Sequence, residues 1–154
     1  MRRLVLFLIA GFSAALLAAA PPYDESADAK AAVQHALVAA RSGHLPVLIV
    51  FGANWCEDCR ALDLALQKGQ TAELVAGSFK LVKVDVGNFD RNLDLAAAYG
   101  NPIKNGIPAA VVVSGSDKVL YATKAGELAD ARRMSDSGIY EFFKRVSQGV
   151  ASSR

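Results

Sequence analysis

A pair of closely spaced cysteines at the start of a helix is the feature that most restricts how this chain can fold. Residues 47–51 are all apolar and rich in β-branched side chains, a pattern typical of a strand buried on both faces. A short turn at 52–55 separates this run from Cys56-Glu57-Asp58-Cys59, where a helical pattern begins and continues to about residue 68. The chain must therefore pass directly from a buried strand to a helix whose first turn holds both cysteines.

The patterns on either side of this unit predict a single layered α/β domain. Helices are predicted at residues 27–42, 56–68 and 90–99, with a short helical stretch at 71–76, and strands at 47–51, 79–86, 109–113 and 118–123. A strand, a helix and a second strand in this order imply a right-handed parallel crossover. The turn residues Gly115-Ser116-Asp117 predict a hairpin between the last two strands. A final helix is predicted from an apolar stripe at helical spacing, formed by Ile139, Phe142, Phe143 and Val146.

The N-terminus has the pattern of an export signal. Arg2 and Arg3 precede an uncharged apolar run at 4–17, and small alanines follow up to Ala20. We therefore predict a signal peptide at 1–20, which would remain as a membrane anchor if it is not cleaved, followed by a polar linker at 21–26. Export would place the protein in the periplasm or another extracytoplasmic, oxidising compartment.

Charge and cysteine count exclude several classes of protein. The chain has 17 basic and 15 acidic residues, and two of the basic ones lie in the predicted signal peptide. The remaining charges balance, which argues against a nucleic-acid partner and against a polybasic membrane patch. Two cysteines are too few for a disulfide-dense scaffold or a four-cysteine zinc site. We expect a monomer with a folded domain at 27–148 and a frayed tail at 149–154.

The placement of the cysteines predicts thiol–disulfide chemistry. At a helix N-terminus, unpaired backbone N–H groups and the helix dipole favour a thiolate, which makes Cys56 the attacking nucleophile. Cys59, one turn further on, is placed to resolve the mixed disulfide. Glu57 and Asp58 add negative charge beside the thiolate, which raises the pKa of the Cys56 thiol. This charge favours a reductant or a mild exchanger over a strong oxidant.

Two motifs together resemble the thioredoxin superfamily, in particular its exported thioredoxin-like members. They are Trp55-Cys56-Glu57-Asp58-Cys59 after a buried strand, and Gly106-Ile107-Pro108 about 50 residues later, before another strand. The resemblance implies a thioredoxin fold, with a mixed four-stranded sheet flanked by helices in the order α-βαβα-ββα. It also implies that Cys56 attacks, that Cys59 resolves, and that Pro108 follows a cis peptide bond. The Ile107 backbone would pair with an extended substrate, and Trp55 would flank the substrate groove.

The chain departs from the thioredoxin pattern at two places. Val50 occupies the position of a buried aspartate that helps to move the proton of the resolving cysteine. Proton transfer must then use water or another group, such as Asp58, Glu57 or Lys83, although Lys83 is more simply interpreted as a solvated lysine at a strand edge. The loop at 101–106 is longer than usual, and we expect it to lie near the active site.

The sequence thus predicts an exported thiol–disulfide oxidoreductase that reduces or exchanges protein disulfides, with the Cys56–Cys59 disulfide as its redox centre and no other cofactor. Its partners would be disulfide-bearing client proteins and a membrane or periplasmic thiol that donates electrons. An oxidant or isomerase would share the fold. The alternative from another class is a redox-inactive module that binds a partner or a metal, in which His35 and His44 would join the cysteines. We expect no metal site, because His35 falls on the polar face of its helix. Arg132 and Arg133 are interpreted as a solvated pair.

Overall fold

The computed structural model describes residues 20–152. The predicted signal peptide lies, except for Ala20, outside the described residues. Among residues 20–152, no helix has both the length and the apolar character needed to cross a membrane.

The described helices and strands follow the predicted order. The helices are α1 (Ala29–Gly43), α2 (Glu57–Leu66), α3 (Gly69–Ser78), α4 (Leu93–Ala98) and α5 (Asp136–Ala151), and the strands are β1 (Val47–Gly52), β2 (Lys80–Asp85), β3 (Ala109–Val113) and β4 (Val119–Ala122). Short 3₁₀ helices lie at Pro102–Asn105 and Ala131–Arg133. Helix α4 begins later than predicted because Asn92 has a left-handed backbone, with φ at 51°, which a right-handed helix cannot contain.

The strands form the mixed four-stranded sheet that the resemblance implies, in the order β2-β1-β3-β4. Strands β1 and β2 are parallel, whereas β3 runs antiparallel to both β1 and β4. All six residues of β1 are buried, as predicted for a central strand. The parallel pair brings the loops that follow β1 and β2 to the same edge of the sheet, and the cysteine pair lies at this edge.

Apolar layers cover both faces of the sheet. Side chains alternate between the faces of a strand, so Ile49 and Phe51 pack on the α1 side while Leu48 and Val50 pack on the α5 side. The first layer includes Val33 and Leu37 of α1 together with both cysteines, and the second includes Phe142 and Phe143 of α5. The cysteines are therefore continuous with the core and are not on a projecting loop.

The segment at 21–26 has no helix or strand, but it is attached to the domain because Tyr23 is a core residue. Its side chain is only 1% exposed and lies against the backbone of Gly52. Two hydrogen bonds fix the segment: the Tyr23 N–H donates to Asn54 Oδ1 at 2.9 Å, and Asn54 Nδ2 donates to the Tyr23 carbonyl at 2.8 Å. A single aromatic residue thus docks the segment beside the turn that leads to Cys56.

The predicted frayed tail begins too early. Helix α5 continues to Ala151, and the Val150 side chain is buried. Val150 lies four residues after Val146, so it extends the apolar stripe of the helix by one more turn.

Candidate active site around the cysteine pair

Cys56 forms the N-cap of α2, and its sulfur is part of the cap. The residue has an extended backbone, and Sγ accepts a 3.1 Å hydrogen bond from the Cys59 N–H. The two cysteines form a disulfide with their Cα atoms 5.2 Å apart. Cys56 is 6% exposed and Cys59 is fully buried. Of the two sulfurs, that of Cys56 therefore lies nearer to solvent and to the free donors of the helix start, as an attacking sulfur requires.

The Ile107–Pro108 turn lies against the Cys56 sulfur. The Ile107–Pro108 peptide bond is cis, as the resemblance implies, and the Ile107 carbonyl oxygen lies 3.6 Å from Cys56 Sγ. Pro102, the other proline of this region, lies within a 3₁₀ helix. The fold thus places a backbone carbonyl from the entrance of β3 directly beside the disulfide, although Cys56 and Ile107 are 51 positions apart in the sequence.

Trp55 flanks the site at the surface. Its side chain is 53% exposed, and its indole N–H donates a 2.8 Å hydrogen bond to the Gly87 carbonyl, in the loop that follows β2. Phe89 packs edge-on against the Trp55 ring, with 6.2 Å between the ring centroids. Phe89 is also well exposed, and the sequence analysis missed it. An aromatic residue in an otherwise polar turn is the signal that would have identified it.

A shallow apolar groove continues from these rings to the loop at 101–106. Its walls include Phe89, Leu93 and Ile103, and the loop residues Asn101, Lys104 and Gly106 complete it. Phe89 and Leu93 are among the more exposed large apolar side chains of the described residues. Since Gly106 directly precedes Ile107, the groove ends at the turn that contacts Cys56. The loop therefore lies near the active site, as expected.

The acidic pair between the cysteines is held by an arginine: Arg132 is exposed, as interpreted, but the sequence analysis did not anticipate its contacts with this pair. The Arg132 side chain forms an ion pair with Glu57, and its Nε lies 3.7 Å from Asp58 Oδ1. The Arg132 backbone N–H also donates to Asp58 Oδ1 at 3.0 Å. Arg132 therefore offsets one of the two negative charges of Glu57 and Asp58, which weakens the predicted preference for a reductant.

A partly buried ion pair lies further along α2, and Lys83, interpreted as a solvated lysine, retains only 29% exposure in it. Lys83 Nζ donates a 2.8 Å hydrogen bond to Asp63 Oδ1, and Gln67 donates to the other carboxylate oxygen. Asp63 lies four residues after Cys59 and is buried. Sequence reasoning missed Asp63 because an aspartate in a helix normally marks the solvent face. Val50, at the position of the family aspartate, is buried in the core and pairs with Lys83 across the sheet.

A second buried carboxylate lies at the end of β2. Asp85 accepts a hydrogen bond from the Gly87 N–H at 3.0 Å and pairs with Arg91 at 3.3 Å. Burial, reinforced by the negative charges of Asp63 and Asp85, holds the pKa of the Tyr23 phenol far above its usual range. The phenol beneath this edge of the sheet therefore stays neutral at physiological pH.

The described residues bring no metal-ligating set together. Across residues 20–152, no group of three or more histidine, cysteine, aspartate or glutamate side chains is arranged to hold a metal ion. His35 lies on the exposed face of α1, and His44 ends that helix in a left-handed conformation with φ at 59°.

Comparisons with known proteins agree with this geometry. A family model described as Thioredoxin-like matches residues 28–115. A solved structure described as the disulphide isomerase from Xylella fastidiosa Temecula1 is 58% identical, with a TM-score of 0.82 over 84% of this chain and 99% of that chain. Thioredoxin 1 from a Nostoc species is 36% identical over 49% of this chain and 63% of its own length. Thioredoxin C-2 from Corynebacterium nephridii is 32% identical over 61% of this chain and 80% of its own length. The chain thus spans less than two thirds of the Nostoc protein.

Proposed function

The chain belongs to the thioredoxin-like family, and on that basis we propose that it is a thiol–disulfide oxidoreductase that reduces or exchanges disulfides in client proteins. The observation that carries the proposal is the position of Cys56. Its sulfur caps α2, bonds to Cys59 and lies 3.6 Å from the Ile107 carbonyl. A disulfide that closes a loop of only two intervening residues contributes little to stability, so a structural role alone does not account for this placement.

The reaction consists of two exchange steps. In the reduced protein, the Cys56 thiolate attacks one sulfur of a client disulfide, forming a Cys56–client bond and releasing the other client sulfur as a thiolate that takes up a proton. The Cys59 thiol then loses its proton and attacks the Cys56 sulfur. This second step forms the Cys56–Cys59 bond and releases the remaining client thiolate, which is protonated in turn. The client gains two electrons, and the protein loses them.

A carboxylate on α2 is suited to assist the second step. Asp63 lies one helical turn beyond Cys59 and shares its inward face, and Lys83 keeps it ion-paired. We assign Asp63 the role of accepting the Cys59 proton, directly or through water, which Val50 cannot perform. Glu57 and Asp58 are less suited, because their side chains are more exposed than that of Asp63.

The substrate would lie along the surface formed by Trp55, Phe89 and the Ile107–Pro108 turn. The exposed rings offer apolar contacts to an unfolded or extended client. The backbone at Ile107 offers hydrogen-bonding groups to an extended chain, as in other forms of β-strand addition. Such recognition depends on backbone and apolar groups and would accept many client sequences.

We further propose that the protein works outside the cytoplasm. The basic, apolar and small-residue pattern at 1–20 supports export, after which the signal is cleaved or retained as an anchor. In an oxidising compartment a reductant needs a supply of electrons, so a membrane or periplasmic thiol protein would reduce the Cys56–Cys59 disulfide after each turnover. Disulfide exchange needs no net electron supply, and the 58% identical structure described as a disulphide isomerase favours exchange as the second candidate activity.

Trapping of the mixed disulfide tests the proposal. Cys59→Ser removes the resolving sulfur, so Cys56 should remain bonded to client proteins, and dithiothreitol should release them. The matched control is the Cys56→Ser, Cys59→Ser double variant, which should trap nothing. If Cys59→Ser traps no more protein than the control, the exchange mechanism is wrong and the redox-inactive binding module becomes the better reading.

A further inference from the structure

The segment between β4 and α5 returns to the start of α2. Leu128 and Ala131 of this segment are buried in the same core layer as Leu62 of α2, and the 3₁₀ helix Ala131–Arg133 packs beside α2. The anchoring is apolar and close, so the residues that follow Ala131 have a fixed position relative to the cysteine motif. Arg132 is the first of them.

Arg132 contacts both residues between the cysteines, through different groups. Its guanidinium forms an ion pair with Glu57, and its Nε lies 3.7 Å from Asp58. Its backbone N–H donates a 3.0 Å hydrogen bond to Asp58 Oδ1. Arg133, the next residue, is also exposed but forms no ion pair within the described residues. One arginine of the pair is thus bound to the motif, and the other is a natural control.

The contacts matter because of where the negative charges lie. Glu57 and Asp58 follow Cys56 directly, so an unbalanced charge on either would disfavour a thiolate at Cys56. The ion pairs are partly exposed, with Arg132 and Glu57 both near half-exposed, and such pairs add little to folding stability. The stability of a neighbouring thiolate still depends on these charges, because the groups lie within a few residues of each other on one helix turn.

We propose that Arg132 is a positioning residue that sets the redox equilibrium of the Cys56–Cys59 pair by holding Glu57 and Asp58 and offsetting part of their negative charge. The inference rests on the proposed oxidoreductase function and adds to it a residue distant in sequence. Two molecules of glutathione reduce the disulfide: the Cys56–Cys59 bond breaks, the glutathione disulfide bond forms, and two electrons pass to the protein. With Arg132 in place the reduced form keeps its Cys56 thiolate beside two acids whose negative charge is partly offset. Without it the thiolate faces two carboxylates, and the oxidised form is favoured.

The test is the equilibrium of the full chain with glutathione buffers, read by the fraction of reduced protein. Arg132→Gln should lower the equilibrium constant for reduction three- to tenfold, and a tenfold change corresponds to about 30 mV. Arg133→Gln removes the same charge from the adjacent position and should leave the constant within twofold of the wild type. The rate of Cys56 alkylation at pH 7 should fall in Arg132→Gln alone.

Two further variants separate charge balance from a loss of structure. Arg132→Lys keeps the charge and the backbone hydrogen bond. It should therefore recover at least half of the fall in the equilibrium constant that Arg132→Gln causes. In a Glu57→Gln, Asp58→Asn background, Arg132→Gln should have no further lowering effect, because the carboxylates that it balances are gone. This absence of additivity is the expected signature of coupled residues.

Several results would overturn the inference while leaving the proposed function intact. Equal shifts in Arg132→Gln and Arg133→Gln would show that only net charge matters. An unchanged constant in Arg132→Gln, or a full shift in the background that lacks both acids, would show that the contacts do not set the equilibrium. If the wild-type protein forms no Cys56–Cys59 disulfide in any glutathione buffer, the proposed function itself fails, and the inference fails with it.

Discussion

Lys83 of β2 donates a 2.8 Å hydrogen bond to Asp63 of α2, and so joins the sheet to the helix that carries the cysteines. Asp63 is buried, whereas Lys83 retains partial exposure. A buried carboxylate needs partners for its charge, and Lys83 and Gln67 supply them. The pair therefore stabilises the fold, because removing one partner would leave the charge of the other unpaired.

Asp63→Ala should lower the free energy of unfolding by about 1–3 kcal/mol, because it leaves the Lys83 ammonium without its partner in a partly buried position. Urea denaturation of the oxidised protein measures the change. Asp130→Ala, at an exposed position where the side chain caps nothing, should change stability by less than about 0.5 kcal/mol. Equal losses in the two variants would contradict the expectation.

Gly52→Ala should destabilise the protein, because a Cβ at this position would overlap the ring of the buried Tyr23. Overpacking of this kind typically costs about 1–3 kcal/mol. Gly77→Ala is the matched control: Gly77 lies in α3, and its added Cβ would meet nothing within 4 Å. There the substitution should stabilise the protein by up to about 1 kcal/mol. If Gly52→Ala leaves the free energy of unfolding unchanged, Tyr23 can leave the core at little cost.

Phe89→Ser should reduce activity toward protein substrates but not toward small ones. The exposed Phe89 ring extends the surface beside Trp55, and only a polypeptide is large enough to contact it. We expect kcat/KM for a protein disulfide to fall about three- to tenfold, which corresponds to about 0.7–1.4 kcal/mol of lost apolar contact. The rate with oxidised glutathione should stay within twofold of the wild type.

Val38→Ser serves as the control for this measurement. Val38 is more exposed than Phe89 but lies on α1, outside the surface formed by Trp55, Phe89 and Ile107. A similar loss of protein-disulfide activity in Val38→Ser, or an equal loss with both substrates in Phe89→Ser, would rule out Phe89 as a client contact.

Stability should decline above about pH 10, where tyrosines of an unfolded chain ionise. The folded protein raises the pKa of Tyr23, chiefly by burial, and burial also raises the pKa of Tyr121 to about 12. Ionisation therefore favours the unfolded state: the stabilisation is complete below about pH 10 and is lost as the pH rises through the folded pKa values. Urea midpoints at pH 8, 9.5, 10.5 and 11 follow this loss.

Tyr23→Phe should reduce the alkaline loss, because the variant has no phenol to ionise at this position. Tyr140→Phe is the control, since Tyr140 lies near the surface beside Lys144, and it should leave the alkaline loss unchanged. An identical pH dependence in the wild type and Tyr23→Phe would show that another group controls the alkaline limit.

Local patterns were sufficient to predict the strands and the cysteine motif, whereas the sheet topology and the cis turn at Pro108 were implied by the resemblance to thioredoxins. The apolar run at 47–51 predicts β1 because a central strand of a mixed sheet has no polar face. The combination of the cysteine motif with Ile107-Pro108 identified the two segments that meet at Cys56 Sγ. For the strands and the cysteine motif, the information lies in adjacent residues or in a spacing along one element.

The residues that were misjudged or missed are those whose environment depends on distant segments. Arg132 meets Glu57 across 75 positions of sequence, and no periodicity connects the two. Tyr23 is the lone aromatic residue of a polar stretch, and its burial depends on the absence of a Cβ at Gly52. Asp63 is polar at a core position of α2, and only the approach of Lys83 from β2 accounts for it.

The hydrogen bond from the Cys59 N–H to Cys56 Sγ joins a backbone amide of α2 to the sulfur at which exchange is proposed. In the proposed exchange, the acceptor of this bond is the atom that changes covalent partner, being bonded in turn to Cys59, to a client and to neither. Each stage presents the same amide with a different sulfur: a neutral disulfide, a mixed disulfide or an anion. The Cys59 amide proton would therefore report the covalent state of the Cys56 sulfur, and its NMR chemical shift should differ among the three stages.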